Sequence, residues 1–192
     1  MSSSDAGQER LIEAQVREWI ARVVIDLNLC PFARKPFEAG QVKVVVSAAS
    51  DPEALLQDLH DQLAWLEATP PGDTETTLLV VPRMLADFLD YNDFLDLADA
   101  LLERFAWQGD FQIASFHPDY QFAGTRPEDA ENYTNRAPWP LLHLLREDSL
   151  EKAVASHPDP EQIPERNIEM TNRHGSAYLM ELLDACRRVK TD

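Results

Sequence analysis

The sequence is poor in the residues that build several common kinds of site. Its 192 residues include only 6 Gly and 2 Cys, and 17 Lys and Arg stand against 34 Asp and Glu, a formal charge of −17. The sequence has no glycine-rich phosphate loop, no paired CxxC, no HExxH and no GxSxG. These absences argue against classical NTPase and dehydrogenase functions.

The excess of negative charge limits the expected partners. It repels a phosphate backbone at long range, so we expect neither nucleic acid nor an anionic membrane as a partner, and we interpret the acidity as an aid to solubility. No apolar run approaches the length of a transmembrane helix. Cys30 and Cys186 lie far apart, which favours reduced thiols over a disulfide framework.

The N-terminal segment MSSSDAGQ has the composition of a frayed end rather than an export signal, because no apolar region follows a basic start. We therefore expect a cytoplasmic protein with a disordered segment over residues 1–8. The remaining chain, residues 9–192, has the length and apolar periodicity of a single α/β domain.

Helical periodicity and short β-branched runs alternate along the first part of the chain. The first predicted helix runs from Glu9 to about Asn28, the second begins at a cap at Ser50 or Asp51, and helical spacing continues between Met84 and Phe105. The predicted strands are Val42 to Ser47, Thr76 to Val81 and Phe111 to Phe116. Strands joined by helical crossovers run parallel. The sequence therefore predicts a three-layer α/β fold, with a parallel core sheet of at least three strands and helices on both faces.

The C-terminal third is predicted to be helical and to wrap the carboxyl edge of this sheet. Pro138-Trp139-Pro140 is predicted to begin a short helix that places His143, Arg146 and Glu147 on one polar side. Gly175 is expected to end a later helix.

The stretch from Phe116 to Glu147 concentrates aromatic, imidazole, guanidinium and carboxylate groups without a simple helix or strand period. Such a segment is a functional loop or a disordered linker. Since it follows a predicted strand at the carboxyl edge, where open parallel sheets bind ligands, we expect a loop folded over that edge.

His117 and Asp119 are the candidate catalytic residues of this loop. A carboxylate beside an imidazole fixes its tautomer and raises its basicity, so His117 would act as a general base or ligand and Asp119 would orient it. The alternative, equally weighted, is that His117 only hydrogen-bonds the loop back onto the sheet.

A second set supplies candidate ligand-binding residues. Arg136 offers a planar fork for a carboxylate or phosphate, and amides or rings lie around it. The set comprises Asn132, Tyr133, Asn135, Arg136, His143, Tyr120 and Cys30. Alternatively, Arg136 pairs with nearby carboxylates and the two Asn side chains cap turns.

Cys30 is a candidate nucleophile, but a buried structural cysteine is the favoured interpretation. Its predicted position at a helix C-terminus raises the pKa of a thiol, because that end of the helix dipole is negative. A metal site from His117, His143 and either Asp119 or Cys30 is chemically possible. None of these spacings is diagnostic of a metal, so no metal is predicted and the cofactor stays unknown.

Four segments carry a family resemblance: Asn28 to Ala33 (NLCPFA), Phe116 to Phe122 (FHPDYQF), Glu131 to Glu147 (ENYTNRAPWPLLHLLRE) and Ile163 to Glu169 (IPERNIE). Together they resemble an uncharacterised bacterial family, domain of unknown function 1415, over about Glu9 to Gly175. The resemblance implies one full-length domain and assigns no catalytic role.

The function these patterns favour is a cytoplasmic small-molecule enzyme. Its His/Asp/Arg site would lie at the carboxyl edge of the sheet and take a small anionic ligand. The alternative is a non-catalytic ligand-binding or protein-interaction module that uses the 116–147 loop as its recognition surface. The sequence names neither the reaction nor the substrate.

Overall fold

Four strands form one sheet in the computed structural model, which describes residues 3–190, with side chains from residue 5 onward. The strands are β1 (Val42–Val46), β2 (Thr76–Val80), β3 (Phe111–Phe116) and β4 (Leu141–Arg146). Their spatial order is β1-β2-β4-β3. β1 and β2 are parallel, whereas β4 is antiparallel to both β2 and β3. The protein is therefore a mixed α/β fold.

The prediction of a helix after Pro140 is wrong, because this segment is strand β4. Its run of apolar residues fits a buried helix or a buried strand equally well by periodicity alone. As β4 lies between two other strands and is covered on both faces, four of its six residues are leucines. His143, Arg146 and Glu147 consequently do not share a helical face.

The sheet is mixed rather than parallel as predicted, because β4 lies between β2 and β3. β3 still runs in the same direction as β2, because β4 is antiparallel to both of them. Leu141, the first residue of β4, pairs with Val80 and with Phe116. The carboxyl ends of β2 and β3 and the start of β4 therefore meet at one edge.

Helices account for most of the remaining chain. They are α1 (Ser3–Trp19), which continues as a π-helix (Ile20–Ile25), α2 (Arg34–Glu38), α3 (Pro52–Ala68), α4 (Phe88–Arg104), a 3-10 helix (Ala130–Thr134), α5 (Glu147–Ser156), a 3-10 helix (Pro160–Gln162), α6 (Ile163–His174) and α7 (Ser176–Arg187). None of the described helices is long and apolar enough to cross a membrane.

Two helix starts and one helix end bear on the sequence predictions. α1 begins at Ser3 rather than Glu9, so it includes residues expected to be disordered; Asp5 in its first turn favours this by interacting with the helix dipole. Residues 1–2 lie outside the described residues. Asp51 caps α3 by accepting a hydrogen bond from the Ala54 N–H at 2.9 Å, and α6 ends at Gly175 with φ of 79°, both as predicted.

Helices lie against both faces of the sheet because side chains alternate along its strands. Leu78 and Val80 face a cluster built from α1, the π-helix and α7. Leu79 and Val81 face a second cluster built from α3 and α4. The sheet is therefore buried on both sides, and its edges are the places left for a site.

Two neighbouring threonines of β2 provide a matched test of this packing. Thr76 Oγ1 lies 2.6 Å from the Leu144 carbonyl oxygen and 2.8 Å from His143 Nε2, whereas Thr77 Oγ1 is buried without a hydrogen-bond partner in the described structure. Thr77→Val should raise the free energy of unfolding by about 1 kcal/mol, because it removes an unsatisfied hydroxyl. Thr76→Val should lower it by about 2 kcal/mol, because two bonds are lost. Urea unfolding measures both; a loss of stability in Thr77→Val would contradict the assignment.

Candidate functional site

The loop between β3 and β4 is folded onto the carboxyl edge. Its two ends pair with each other, since the His117 N–H donates to the Asn135 carbonyl at 3.2 Å and the Ala137 N–H donates to the His117 carbonyl at 3.4 Å. His117 and Asn132 are fully buried. The segment is an ordered part of the domain rather than a linker.

The His117 ring is held by backbone groups on both sides. The Asp119 N–H donates to Nδ1 at 3.0 Å, so in the neutral ring the proton sits on Nε2, which donates to the Leu85 carbonyl at 3.0 Å. Burial lowers the pKa of His117, and the Leu85 carbonyl and the Asp119 carboxylate oppose this only in part. The ring stays neutral and both nitrogens are engaged.

Asp119 orients His117, but through its backbone rather than its carboxylate. The Asp119 side chain is exposed, and the contact that fixes the imidazole tautomer comes from the Asp119 N–H. The His117 ring fastens the loop to Leu85, in the connection between β2 and α4, rather than directly to the sheet. The Leu85 partner has φ of 57°, an uncommon conformation for a leucine.

Asn132 occupies the centre of the loop and bonds only to the loop itself. Its Oδ1 accepts from the Phe122 N–H at 3.0 Å and contacts Thr125 Oγ1 at 2.8 Å, while Nδ2 donates to the Arg126 carbonyl at 2.7 Å. A buried amide that uses both ends on backbone and neighbouring side chains is a structural part of a turn. Its donors face the protein rather than a ligand.

Arg136 and Asn135 are engaged in the same way. Arg136 Nε donates to the Tyr120 carbonyl at 3.2 Å and Nη2 to the Pro127 carbonyl at 2.7 Å, and its guanidinium lies 4.6 Å from the centre of the Tyr133 ring. Asn135 Nδ2 donates to the Ser115 carbonyl at 3.0 Å. The structure brings the predicted anion-binding residues together, with these donors engaged by backbone carbonyls.

Tyr120 and Tyr133 line the loop rather than a cleft. Tyr120 packs its ring on Phe88 and Phe122, with centroids 5.1 and 5.0 Å apart, and Tyr133 is buried in the cluster under α1. Such aromatic pairs stabilise the loop through packing.

His143 lies on the other side of the sheet from His117. His143 contacts Thr76 and Phe116, whereas His117 contacts Phe88 and Tyr91 of α4. Thr76 donates its single proton to Leu144, so its oxygen accepts from His143 Nε2–H. Burial lowers the pKa of His143 to about 4, so this ring is neutral at physiological pH.

Cys30 follows the π-helix and has the properties of a structural thiol. Burial raises the pKa of the Cys30 thiol, and hydrogen bonds from the Phe32 and Ala33 backbone oppose that shift only partly. Cys30 and Cys186 are both free. Within the described residues, no group of three or more His, Cys, Asp or Glu side chains is placed to hold a metal ion.

A cavity of about 420 Å³ opens at the same carboxyl edge. Side chains from α1, from the connection between β2 and α4, from the loop between β3 and β4, and from α7 line it: Gln15, Val81, Pro82, Met84, Ala86, Pro118, Pro138, Trp139, Pro140 and Arg187. Four proline rings, one indole and three aliphatic or thioether side chains make the wall mainly apolar. We call this space the edge cavity.

Hydrogen bonds fix the polar members of the wall. Trp139 Nε1 donates to Gln15 Oε1 at 2.9 Å, and Gln15 Nε2 donates to the Arg187 carbonyl at 2.5 Å. Arg187 Nε donates to the Pro138 carbonyl at 3.4 Å. These contacts connect α1, α7 and the chain that enters β4, so they hold the polar side chains of the wall in place.

Sequence reasoning located the edge and part of the cavity wall. Pro118, Pro138, Trp139 and Pro140 belong to the predicted loop, and a proline at the end of a strand, as at Pro82, marks the position where the chain turns away from the sheet. Nothing in the sequence indicated that Gln15 and Arg187 line a cavity, because each resembles an ordinary polar residue of an amphipathic helix.

The fold and the cavity define a mixed α/β domain with an apolar pocket where its parallel strands end. The chain belongs to the family described as "Protein of unknown function (DUF1415)", whose model matches residues 11–181, which confirms the resemblance found in the four sequence segments. Comparison with curated proteins finds no match, and comparison with solved structures finds none either.

Proposed function

We propose that this protein is a binding module that takes a small ligand with an apolar or aromatic body into the edge cavity. The observation that carries this proposal is the composition of the wall. Within residues 3–190, the side chains that line the cavity include no His, Cys, Ser, Asp or Glu. Acid–base and nucleophilic chemistry need such groups within hydrogen-bond reach of the ligand.

The dimensions and position of the cavity support binding. Its volume of about 420 Å³ lies within the range of small-molecule sites, which are mostly apolar and largely preformed. It lies where the carboxyl ends of β2 and β3 meet, the edge at which sheets of this kind bind ligands. Proline rings and an indole offer flat surfaces on which a planar ligand can pack.

The loop that concentrates the predicted site residues has a supporting role in this proposal. His117 and Asn132 fasten the loop over the edge, and Arg136 holds its tip through backbone carbonyls. Pro118, next to His117, and Trp139, near the end of the loop, then face the ligand. The free thiols of Cys30 and Cys186 support a reducing compartment such as the cytoplasm.

The proposal predicts saturable binding of a neutral aromatic probe, 1-naphthamide, measured by isothermal titration calorimetry. Ala86→Trp should weaken binding by about tenfold or more, because the exposed Ala86 sits on the wall and a larger side chain there fills the cavity. Ala100→Trp, at an exposed position on α4, is the matched control and should bind like the wild type.

Two results would contradict the proposal. One is the absence of saturable binding by the wild type. The other is an Ala86→Trp variant that is folded by circular dichroism and binds the probe as tightly as the Ala100→Trp control.

A further inference from the structure

We infer that the ligand of the edge cavity carries a carboxylate that pairs with Arg187; this inference rests on the proposed function. Among the described side chains that line the cavity, Arg187 is the only charged one. A ligand seated against an apolar wall with one cation at its margin gains most from a single negative group.

The other polar side chains of the wall are already engaged. Gln15 uses its oxygen on Trp139 and its nitrogen on the Arg187 carbonyl, and Trp139 uses its only donor on Gln15. Trp139 has no side-chain donor left, and Gln15 keeps one amide N–H. The charged recognition offered by the side chains therefore comes from the Arg187 guanidinium.

The Arg187 guanidinium is positioned by two contacts that leave one end of its fork available. Nε donates to the Pro138 carbonyl at 3.4 Å, and Nη1 lies 3.0 Å from Asp184 Oδ1. Nη2 takes part in neither contact. A planar guanidinium held on one side by the protein is suited to receive a planar carboxylate on the other.

Charge selects the class of ligand. Asp184 offsets part of the guanidinium charge, and the Nη2 end offers N–H donors that suit a monoanionic carboxylate rather than a cation. The Arg187–Asp184 pair is partly exposed, with side-chain exposures of 37% and 43%, so the two partners contribute little stability to each other. An incoming carboxylate can therefore bind Arg187 beside Asp184.

Two probes with the same aromatic body test the inference. The wild type should bind 1-naphthoate about fivefold to tenfold more tightly than 1-naphthamide, because only the carboxylate forms a charge-assisted pair. In Arg187→Met the ratio of the two affinities should fall to about one, since the cation is gone. Asp184→Asn should increase the ratio, because it removes the competing carboxylate.

Arg188→Met is the matched control, because Arg188 is exposed, adjacent in sequence and not part of the wall. It should keep the wild-type ratio. A wild type that binds 1-naphthamide but shows no preference for 1-naphthoate would overturn the carboxylate inference and leave the proposed function standing. Binding of neither probe would overturn both, and a preference that persists in Arg187→Met would overturn the role of Arg187.

Discussion

Replacing His117 with Ala should lower the free energy of unfolding by about 4 kcal/mol, the largest effect of any substitution considered for this protein. The imidazole is fully buried, packs against the rings of Phe88 and Tyr91, and joins Leu85 to the backbone of Asp119. The alanine variant loses this packing and removes the ring partner of the Leu85 carbonyl and of the Asp119 N–H. Chemical denaturation monitored by tryptophan fluorescence measures the loss.

Two further variants separate the causes. His117→Phe keeps a ring in place but removes both hydrogen bonds, so about 2 kcal/mol should be lost. Asp119→Asn alters only an exposed carboxylate and should change stability by less than about 0.5 kcal/mol. If Asp119→Asn cost as much as His117→Phe, the carboxylate rather than the backbone would be what orients the imidazole, contrary to the observed contacts.

Stability should also fall as the pH is lowered, and His143 should account for about 3 kcal/mol of that fall. Burial lowers the pKa of His143 from 6.5 to about 4, so the unfolded chain takes up a proton at a higher pH than the folded one. The contribution is fully present above pH 6.5 and is lost as the pH falls toward 4. Denaturation at a series of pH values measures it.

The control for this effect is a pair of variants. The chain also carries 34 Asp and Glu residues, so the informative quantity is the difference between wild type and variant. His143→Gln removes the titrating group and should flatten the slope between pH 6.5 and 4. Thr76→Val removes the hydrogen bonds to His143 and to the Leu144 carbonyl but no titrating group, so it should keep the slope. Equal slopes in wild type and His143→Gln would contradict burial as the cause.

The first three strands were predictable because each has a signal of its own. β1, β2 and β3 are short apolar runs separated by helical periodicity and turn residues, a pattern that leaves one consistent interpretation. β4 was not predictable in the same way. Leu141, Leu142, Leu144 and Leu145 satisfy helical and strand spacing equally, and what makes them a strand is the gap between β2 and β3 that they fill.

The location of the candidate site was predictable and the roles of its residues were not. Composition and the end of β3 placed a loop at the carboxyl edge, where the structure also has it. Whether Asn132 faces a ligand or the loop depends on where the Phe122 N–H and the Arg126 carbonyl lie, and residue type does not encode that. The same holds for Arg136, whose fork suits a carboxylate and two backbone carbonyls equally well.

The central claim is that ligands bind the edge cavity and that the polar loop residues support it. Titration of isotope-labelled protein with 1-naphthamide, followed by proton–nitrogen correlation spectra, tests it directly, because the indole N–H of Trp139 and the amide groups of Asn132 and Asn135 give separate signals. We predict that the Trp139 indole signal shifts most while both amide signals stay in place. Large shifts of the Asn132 and Asn135 amides with an unchanged Trp139 signal would contradict the claim.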